Sequence, residues 1–110
     1  MMWRSQITVE RRMTVARNIK TPAIGEILYE EFMKPKGISA YRLASDTGVP
    51  VSRIQDILHG RRKVSVDTSI RLGIYFGMPE KFFLDLQNDI DIRDEKERHS
   101  PEYALISPLA

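Results

Sequence analysis

A small residue and a glycine, four positions apart between two apolar repeats, constrain the fold of this 110-residue chain more than any other feature. Ala44 precedes Gly48, and Val49 follows the glycine directly. Ile54 and Ile57 come six and nine positions after that glycine. Two helices can cross closely only where the contact residue is small, and a three-residue turn needs a positive φ, which glycine adopts without strain. The spacing therefore predicts a helix-turn-helix unit.

Helix start and stop signals divide the rest of the chain into five short helices. Four of the starts carry a capping hydroxyl or an early proline. These are Thr21-Pro22, Ser39, Ser65 and Pro79. Connections of about two to six residues between such helices are typical of a compact all-α domain. The sequence predicts a basic N-terminal arm (1–20), a helix-turn-helix domain (21–98) whose last helix ends at Ser100-Pro101, and a C-terminal tail (99–110).

Charge is divided unevenly along the chain. The net charge is +2, yet residues 1–63 total +6 and the remainder totals −4. Such asymmetry favours one basic surface for a polyanion and a separate acidic surface, although ordinary solvated charge gives the same pattern. No apolar run approaches the roughly 20 residues that span a bilayer, and the first residues lack the apolar core of a signal peptide. We therefore expect a cytoplasmic protein without a membrane partner.

Catalytic and metal-binding chemistry has little support in the sequence. The chain has no cysteine, and its two histidines lie forty residues apart. The carboxylates Asp85, Asp89, Asp91, Asp94 and Glu95 lie along a polar helix face without a histidine or a glycine-rich loop, which is typical of a solvated charge run. No nucleophile and base stand out as a pair. We therefore predict no enzyme activity, no metal site and no cofactor.

The second helix of a helix-turn-helix unit enters the major groove with its N-terminal residues nearest to the base edges. The predicted base-reading residues are Val51, Ser52, Arg53, Gln55 and Asp56. Arg53 is the side chain best suited to read guanine through O6 and N7. Asp56 can accept from cytosine N4 or hold Arg53 through an i, i+3 contact, and we favour the second role.

Basic side chains flank the predicted reading helix and are expected to contact phosphates. Arg61, Arg62 and Lys63 follow that helix directly, and Arg42 lies on the first helix of the unit. Phosphate contacts orient a protein on DNA and carry no sequence information. A merely solvated turn is the alternative for the basic triplet. His59 is interpreted as a cap at the helix end, where the helix dipole favours positive charge.

The fifth predicted helix has apolar side chains on more than one face. A helix of this kind in a small domain usually buries its second face against another subunit. We therefore predict a symmetric homodimer with Phe83, Leu84 and Gln87 at the interface. In the alternative, Leu84 packs under the C-terminal tail.

The N-terminal arm (1–20) has two interpretations. Its cations can lie along phosphates or enter a minor groove. Alternatively, Ile7 and Val9 pair as a short strand with residues 103–106, and we favour this structural role because phosphate contact does not need alternating apolar residues. Met13 offers a second translation start after Met1.

Several short motifs follow one another in a fixed order along about residues 19–93. They are Ile24-Gly25-Glu26-Ile27-Leu28, Glu30-Glu31-Phe32, Gly48-Val49-Pro50 with Ser52-Arg53-Ile54, Ile57-Leu58-His59-Gly60-Arg61-Arg62, Asp67-Thr68 with Arg71-Leu72, Tyr75-Phe76-Gly77, and Phe82-Phe83-Leu84-Asp85-Leu86-Gln87. In this order they resemble the HigA antitoxin family, also called virulence-associated protein I, within the larger XRE group of helix-turn-helix regulators. The last motif departs from the family's frequent Phe-Trp-Leu-Asn-Leu-Gln, because it lacks the indole N–H and adds a charge.

The resemblance implies a Cro/repressor-like (lambda repressor-like) five-helix DNA-binding domain with extended N- and C-terminal tails. It implies a homodimer on a palindromic double-stranded operator, repression of its own operon, and neutralisation of a HigB-type toxin, an mRNA-cleaving ribonuclease, in a type II toxin–antitoxin pair. The alternative is an orphan XRE-family regulator without a toxin. An upstream reading frame for a small basic protein would favour the antitoxin.

Overall fold

The computed structural model describes residues 22–109, and every regular element in that range is helical. Helix α1 begins as an α-helix (Ile24–Ile27) and continues through a π-helical turn (Leu28–Met33) and a 3-10 turn (Lys34–Lys36). The other helices are α2 (Ala40–Thr47), α3 (Val51–Leu58), α4 (Val66–Phe76) and α5 (Phe82–Tyr103). The prediction of an all-α, five-helix domain is confirmed. The predicted arm (1–20) lies outside the described residues, and with it Ile7 and Val9, the half of the predicted strand pair that would meet residues 103–106.

Local capping explains where two of these helices begin. Ser39 Oγ accepts from the Arg42 backbone N–H at 3.1 Å, and Ser65 Oγ accepts from the Thr68 N–H at 3.2 Å. Each serine thus satisfies a donor that the first helical turn leaves without a partner. The sequence predicts Pro79 in the first turn of the fifth helix. In the structure Pro79 lies before that helix, and its carbonyl accepts from the Phe82 N–H at 3.0 Å in a turn that precedes α5.

The core lies where α1, the α2–α3 pair and α5 meet. The largest fully buried side chains include Leu28, Leu43, Ile54, Ile57 and Phe83. An aromatic cluster covers one side of this core, and its ring centroids lie 5.0–6.2 Å apart, within the usual range for aromatic pairs. Its members are Phe32, Phe76, Phe82 and Phe83. Burial of the inward residues of α3 fixes which face of that helix remains outside.

Helix α5 runs past the point where the sequence predicted its end. His99 has non-helical angles (φ −123°, ψ 23°), and the helix resumes after it through Pro101 to Tyr103. Pro101 therefore lies in the first turn after a break in the helix. A backbone N–H at that position would have no partner within the helix, so proline can occupy it without loss of a hydrogen bond. The predicted boundary at Ser100-Pro101 is corrected: the helix has a kink there and ends at Tyr103.

The start of α1 touches the end of α3 without any side chain between the two backbones. A Cβ atom built on Gly25 would lie 2.3 Å from the Ile57 carbonyl oxygen and 2.8 Å from that of Leu58. Both distances are far below van der Waals contact, and both neighbours are backbone atoms that cannot rotate away. Glycine at this position therefore sets the distance between α1 and the reading helix.

Replacement of Gly25 by alanine is expected to lower the free energy of unfolding by about 3 kcal/mol, because the added methyl group must push α1 away from α3. Urea denaturation followed by circular dichroism measures this change. Helix propensity alone predicts the opposite sign, a gain of about 1 kcal/mol for alanine over glycine. A Gly25→Ala variant as stable as the wild type, or more stable, would contradict the close approach.

Candidate nucleic-acid interface

The predicted helix-turn-helix spacing is present in the structure as α2, a turn at residues 48–50, and α3. Gly48 has φ 82°, and its N–H donates to the Ala44 carbonyl at 2.8 Å. Thr47 Oγ1 accepts from the Val49 N–H at 3.3 Å, so the polar backbone of the turn is satisfied locally. Val49 is buried, as are the inward residues of α3. The left-handed glycine and the buried valine thus hold α3 against α2.

A second contact braces the same turn from α4. Arg71 Nη1 donates to the Thr47 carbonyl at 2.9 Å, and Arg71 Nε donates to Asp67 at 3.0 and 3.2 Å. The guanidinium thus caps the end of α2, where the helix dipole favours a positive charge. A Cβ atom at Gly48 would lie 2.9 Å from Arg71 Nη1. This role of Arg71 was not predicted from the sequence, although its i, i+4 pairing with Asp67 is visible there as a charge pattern.

None of the five predicted base-reading residues of α3 is fully buried. Ser52 is exposed, and the other four are half-buried, between the fully buried Ile54 and Ile57. The four half-buried residues are Val51, Arg53, Gln55 and Asp56. Arg53 Nε is buried and has no hydrogen-bond partner among residues 22–109. Buried nitrogen donors without a hydrogen-bond partner are uncommon in folded proteins.

Asp56 has a different partner from the one we favoured. Its Oδ1 accepts from Arg61 Nε at 3.0 Å, so the predicted contact with Arg53 is replaced by one with the loop after α3. The Asp56 carbonyl also accepts from the Arg61 and Arg62 N–H groups at 2.7 and 3.2 Å. The chain therefore folds back at the end of α3, and this reversal brings Arg61 within reach of the Asp56 carboxylate.

The four predicted phosphate-contacting residues do not share one environment. Arg42 pairs with Asp46 at 3.3 Å, and Arg61 pairs with Asp56. Lys63 is directed towards α5, where its Nζ donates to Asp91 at 2.8 Å. Arg62 is exposed and makes no ion pair with another described residue. Arg42 thus lies on α2, and Arg61 and Arg62 follow the end of α3. Lys63 differs from these three because it pairs with a residue of α5.

His59 takes the position expected of a cap. Its Nδ1 lies 2.8 Å from the Gln55 carbonyl oxygen, which also accepts from the His59 backbone N–H at 3.0 Å. Both contacts satisfy a carbonyl in the last turn of α3. His59 therefore completes the helix end, where a protonated imidazole would also match the helix dipole.

One carboxylate near the unit has a shifted pKa. Tyr75 on α4 donates its hydroxyl to Asp46 Oδ2 at 2.6 Å. This hydrogen bond lowers the pKa of Asp46, and Arg42 adds to the effect although partial desolvation opposes it. The same contact raises the pKa of Tyr75, because ionised tyrosine would lose the hydrogen bond to a carboxylate. Asp46 is therefore ionised at neutral pH.

Two of the three residues predicted for the dimer interface have their side chains inside the chain. Phe83 is fully buried, and Gln87 is 5% exposed. Gln87 Oε1 accepts from the Val64 N–H at 2.8 Å, and Gln87 Nε2 donates to the Val64 carbonyl at 3.1 Å. Leu84 is half-buried. The apolar pattern of α5 did not distinguish the side chains that face the core from those that face outward.

The described residues show neither a metal-binding group nor a membrane span. Between residues 22 and 109, no cluster of three or more histidine, aspartate or glutamate side chains could hold a metal ion. No helix in the same range is both long enough and apolar enough to cross a membrane.

The fold and the turn define a helix-turn-helix protein. Residues 30–83 match the family HTH_3, described as "Helix-turn-helix". The chain is 40% identical to virulence-associated protein I of Dichelobacter nodosus, over 81% of this chain and 83% of that protein. It belongs to the HigA antitoxin family, which includes virulence-associated protein I.

Solved structures of similar proteins have the same fold over almost their whole length. The Pseudomonas aeruginosa antitoxin HigA with the higBA promoter is 31% identical to this chain, with a TM-score of 0.72, and the match covers 81% of this chain and 98% of that one. Antitoxin GraA in complex with its operator is 35% identical, with a TM-score of 0.74 and coverage of 84% and 94%. These matches confirm the predicted fold and family.

Replacement of Gln87 by leucine tests whether this side chain is structural. The variant keeps a large side chain but leaves the buried N–H and carbonyl of Val64 without partners, so we expect a drop of about 2–4 kcal/mol in the free energy of unfolding. Asn88→Leu, an exposed change on the same helix, is the control and should stay within about 0.5 kcal/mol. Equal stabilities of the two variants in urea denaturation would contradict the structural role of Gln87.

Proposed function

We propose that this chain is a sequence-specific DNA-binding repressor that acts as the antitoxin of a type II toxin–antitoxin pair and binds the operator of its own operon. The observation that carries the proposal is the uncovered face of α3, held outward by the turn at Gly48 and by burial of Ile54 and Ile57. Relatives at 31% and 35% identity have been solved with promoter or operator DNA. In the proposed complex α3 lies in the major groove.

Arg53 and Ser52 are the proposed principal base readers, because they lie in the first turn of α3. Arg53 is half-buried, and a guanidinium at this position can donate to guanine O6 and N7. Gln55 and Val51 lie at the flanks of the same face. Asp56 is proposed to act through Arg61, whose guanidinium it holds beside the groove.

Arg42, Arg61 and Arg62 are the proposed phosphate contacts. Arg42 lies in the first turn of α2, whereas Arg61 and Arg62 follow the end of α3, so cations are available at both ends of the unit. Lys63 contributes less to DNA binding in this proposal, because its ion-pair partner Asp91, 2.8 Å away, lies on α5 and not on the helix-turn-helix unit. Contacts of this kind supply affinity that falls with salt concentration.

We propose a symmetric homodimer, since two copies of one reading helix fit an inverted repeat. Leu84 stays in the proposed interface, whereas Phe83 and Gln87 support it from inside each subunit. Large apolar side chains near the C-terminal end are exposed and can extend the interface. They are Ile92, Tyr103, Leu105, Ile106 and Leu109.

The toxin partner is proposed from the relatives, which are named antitoxins. The proposed activity consists of binding without catalysis, and a repressor of bacterial DNA works in the cytoplasm. An orphan regulator is the alternative within the same family. A reading frame for a small basic protein directly beside this one would support the antitoxin, and purification of that protein in complex with this chain would establish it.

Selection of duplexes from a random library tests the proposed DNA binding. The wild type should recover an inverted repeat whose half-site centres are about 34 Å, or one helical turn, apart. Arg53→Ala should weaken specific binding by about 1–3 kcal/mol and relax the preference at one base pair in each half-site, because alanine cannot form the bidentate pair with guanine.

Arg62→Ala is the matched control for this experiment, since it removes an arginine that is proposed to contact only phosphate. It should weaken binding to all sequences alike and reduce the salt slope by about 0.9 for each phosphate that the variant no longer neutralises. An Arg53→Ala variant that selects the same sequences as the wild type would remove Arg53 from the base readers. Recovery of no preferred sequence by the wild type would refute sequence-specific binding itself.

A further inference from the structure

A hydrogen bond joins two helices beside the proposed DNA-binding surface. Tyr75 on α4 and Asp46 on α2 are 29 residues apart in the chain, and the hydroxyl oxygen lies 2.6 Å from Asp46 Oδ2. A distance of this size is typical of a hydroxyl that donates to an ionised carboxylate. The lowered pKa of Asp46 agrees with an ionised acceptor. The carboxylate is thus fixed by a donor from a different helix.

The same carboxylate oxygen also receives Arg42. Arg42 Nε lies 3.3 Å from Asp46 Oδ2, and the Arg42 side chain is 63% exposed. Nε is the guanidinium atom within hydrogen-bond distance of this carboxylate, and Arg42 also acts on Tyr75, where it opposes the rise in the pKa of the hydroxyl. Arg42 is therefore held through Nε, and its exposed side chain stays accessible to a phosphate oxygen.

The ring of Tyr75 is anchored independently of its hydroxyl. It is half-buried against the core, and its centroid lies 5.0 Å from that of Phe76. One turn earlier on α4, Arg71 donates to the Thr47 carbonyl at 2.9 Å and joins α4 to the end of α2. The Tyr75 hydroxyl is thus presented to Asp46 from a rigid frame, and phenylalanine at this position would keep the packing.

We infer that Tyr75 is a positioning residue for DNA binding, which acts through Asp46 to hold Arg42 ready for a phosphate contact. The inference rests on the proposed function and adds to it a residue that does not touch DNA. A long arginine side chain loses rotamer freedom when it binds, and the Tyr75–Asp46 pair removes part of that freedom in advance. The positive charge of Arg42 also offsets the repulsion between Asp46 and DNA.

The test compares Tyr75→Phe with Tyr29→Phe, which removes the hydroxyl of an exposed tyrosine on α1 that has no hydrogen bond among the described residues. The probe is the duplex that the wild type selects, and fluorescence anisotropy gives the dissociation constant at several salt concentrations. Tyr75→Phe should weaken binding roughly two- to tenfold, because the complex must then bear the cost of immobilising the Arg42 side chain. Tyr29→Phe should bind as the wild type does.

A double-variant cycle separates positioning from a general structural effect. In an Arg42→Ala background, Tyr75→Phe should cause no further decrease in affinity, because the residue through which it acts is absent. Tyr75→Phe should still melt in one cooperative transition well above the temperature of the titration, so that unfolding does not account for the loss, and its salt slope should fall towards that of Arg42→Ala.

Three results would overturn the inference. They are wild-type affinity for Tyr75→Phe, an equal decrease from Tyr75→Phe in both backgrounds, and an Arg42→Ala variant that binds like the wild type. A wild type that binds no duplex would instead overturn the proposed function, and the inference with it. The two failures are therefore distinguishable in the same titrations.

Discussion

The contact between Arg71 and the carbonyl of Thr47 holds together the part of the fold on which the proposed interface depends. It places a guanidinium 2.9 Å from the last carbonyl of α2, directly above the left-handed Gly48. A side chain at position 48 would collide with this guanidinium and would also be strained by its positive φ. The positive φ of Gly48 and the Arg71 contact together favour the observed turn, and this turn sets the angle between α2 and α3.

The cations of the proposed interface are organised by neighbouring carboxylates. Asp46 holds Arg42 and Asp56 holds Arg61, whereas Asp91 draws Lys63 towards α5. Exposed pairs of this kind contribute little to folding stability, since water and salt screen them. Their effect is to limit where each cation can lie before DNA arrives. The basic surface is thus smaller than the count of lysines and arginines indicates, and more ordered.

Features that depend on neighbouring residues were predictable from the sequence. The five helices, the serine caps at Ser39 and Ser65, and the positive φ at Gly48 each follow from a local rule about side-chain donors or backbone sterics. The motifs along about residues 19–93 also indicated the family that the comparisons confirm.

Features that depend on distant residues were not predictable. The Tyr75–Asp46 and Arg71–Thr47 contacts join residues 29 and 24 positions apart, so no periodicity reveals them. The pairing of Gln87 with the backbone of Val64 was not predictable either, because a polar residue on an apolar helix face is equally compatible with a subunit interface.

The claim that α3 and its flanking cations form the DNA-binding surface is tested most directly by NMR chemical-shift mapping of the isotopically labelled chain with the duplex it selects. We expect the largest amide shifts in α3, the first turn of α2 and residues 59–63, with small shifts along residues 91–98. Shifts concentrated on α5, with α3 unaffected, would contradict the claim.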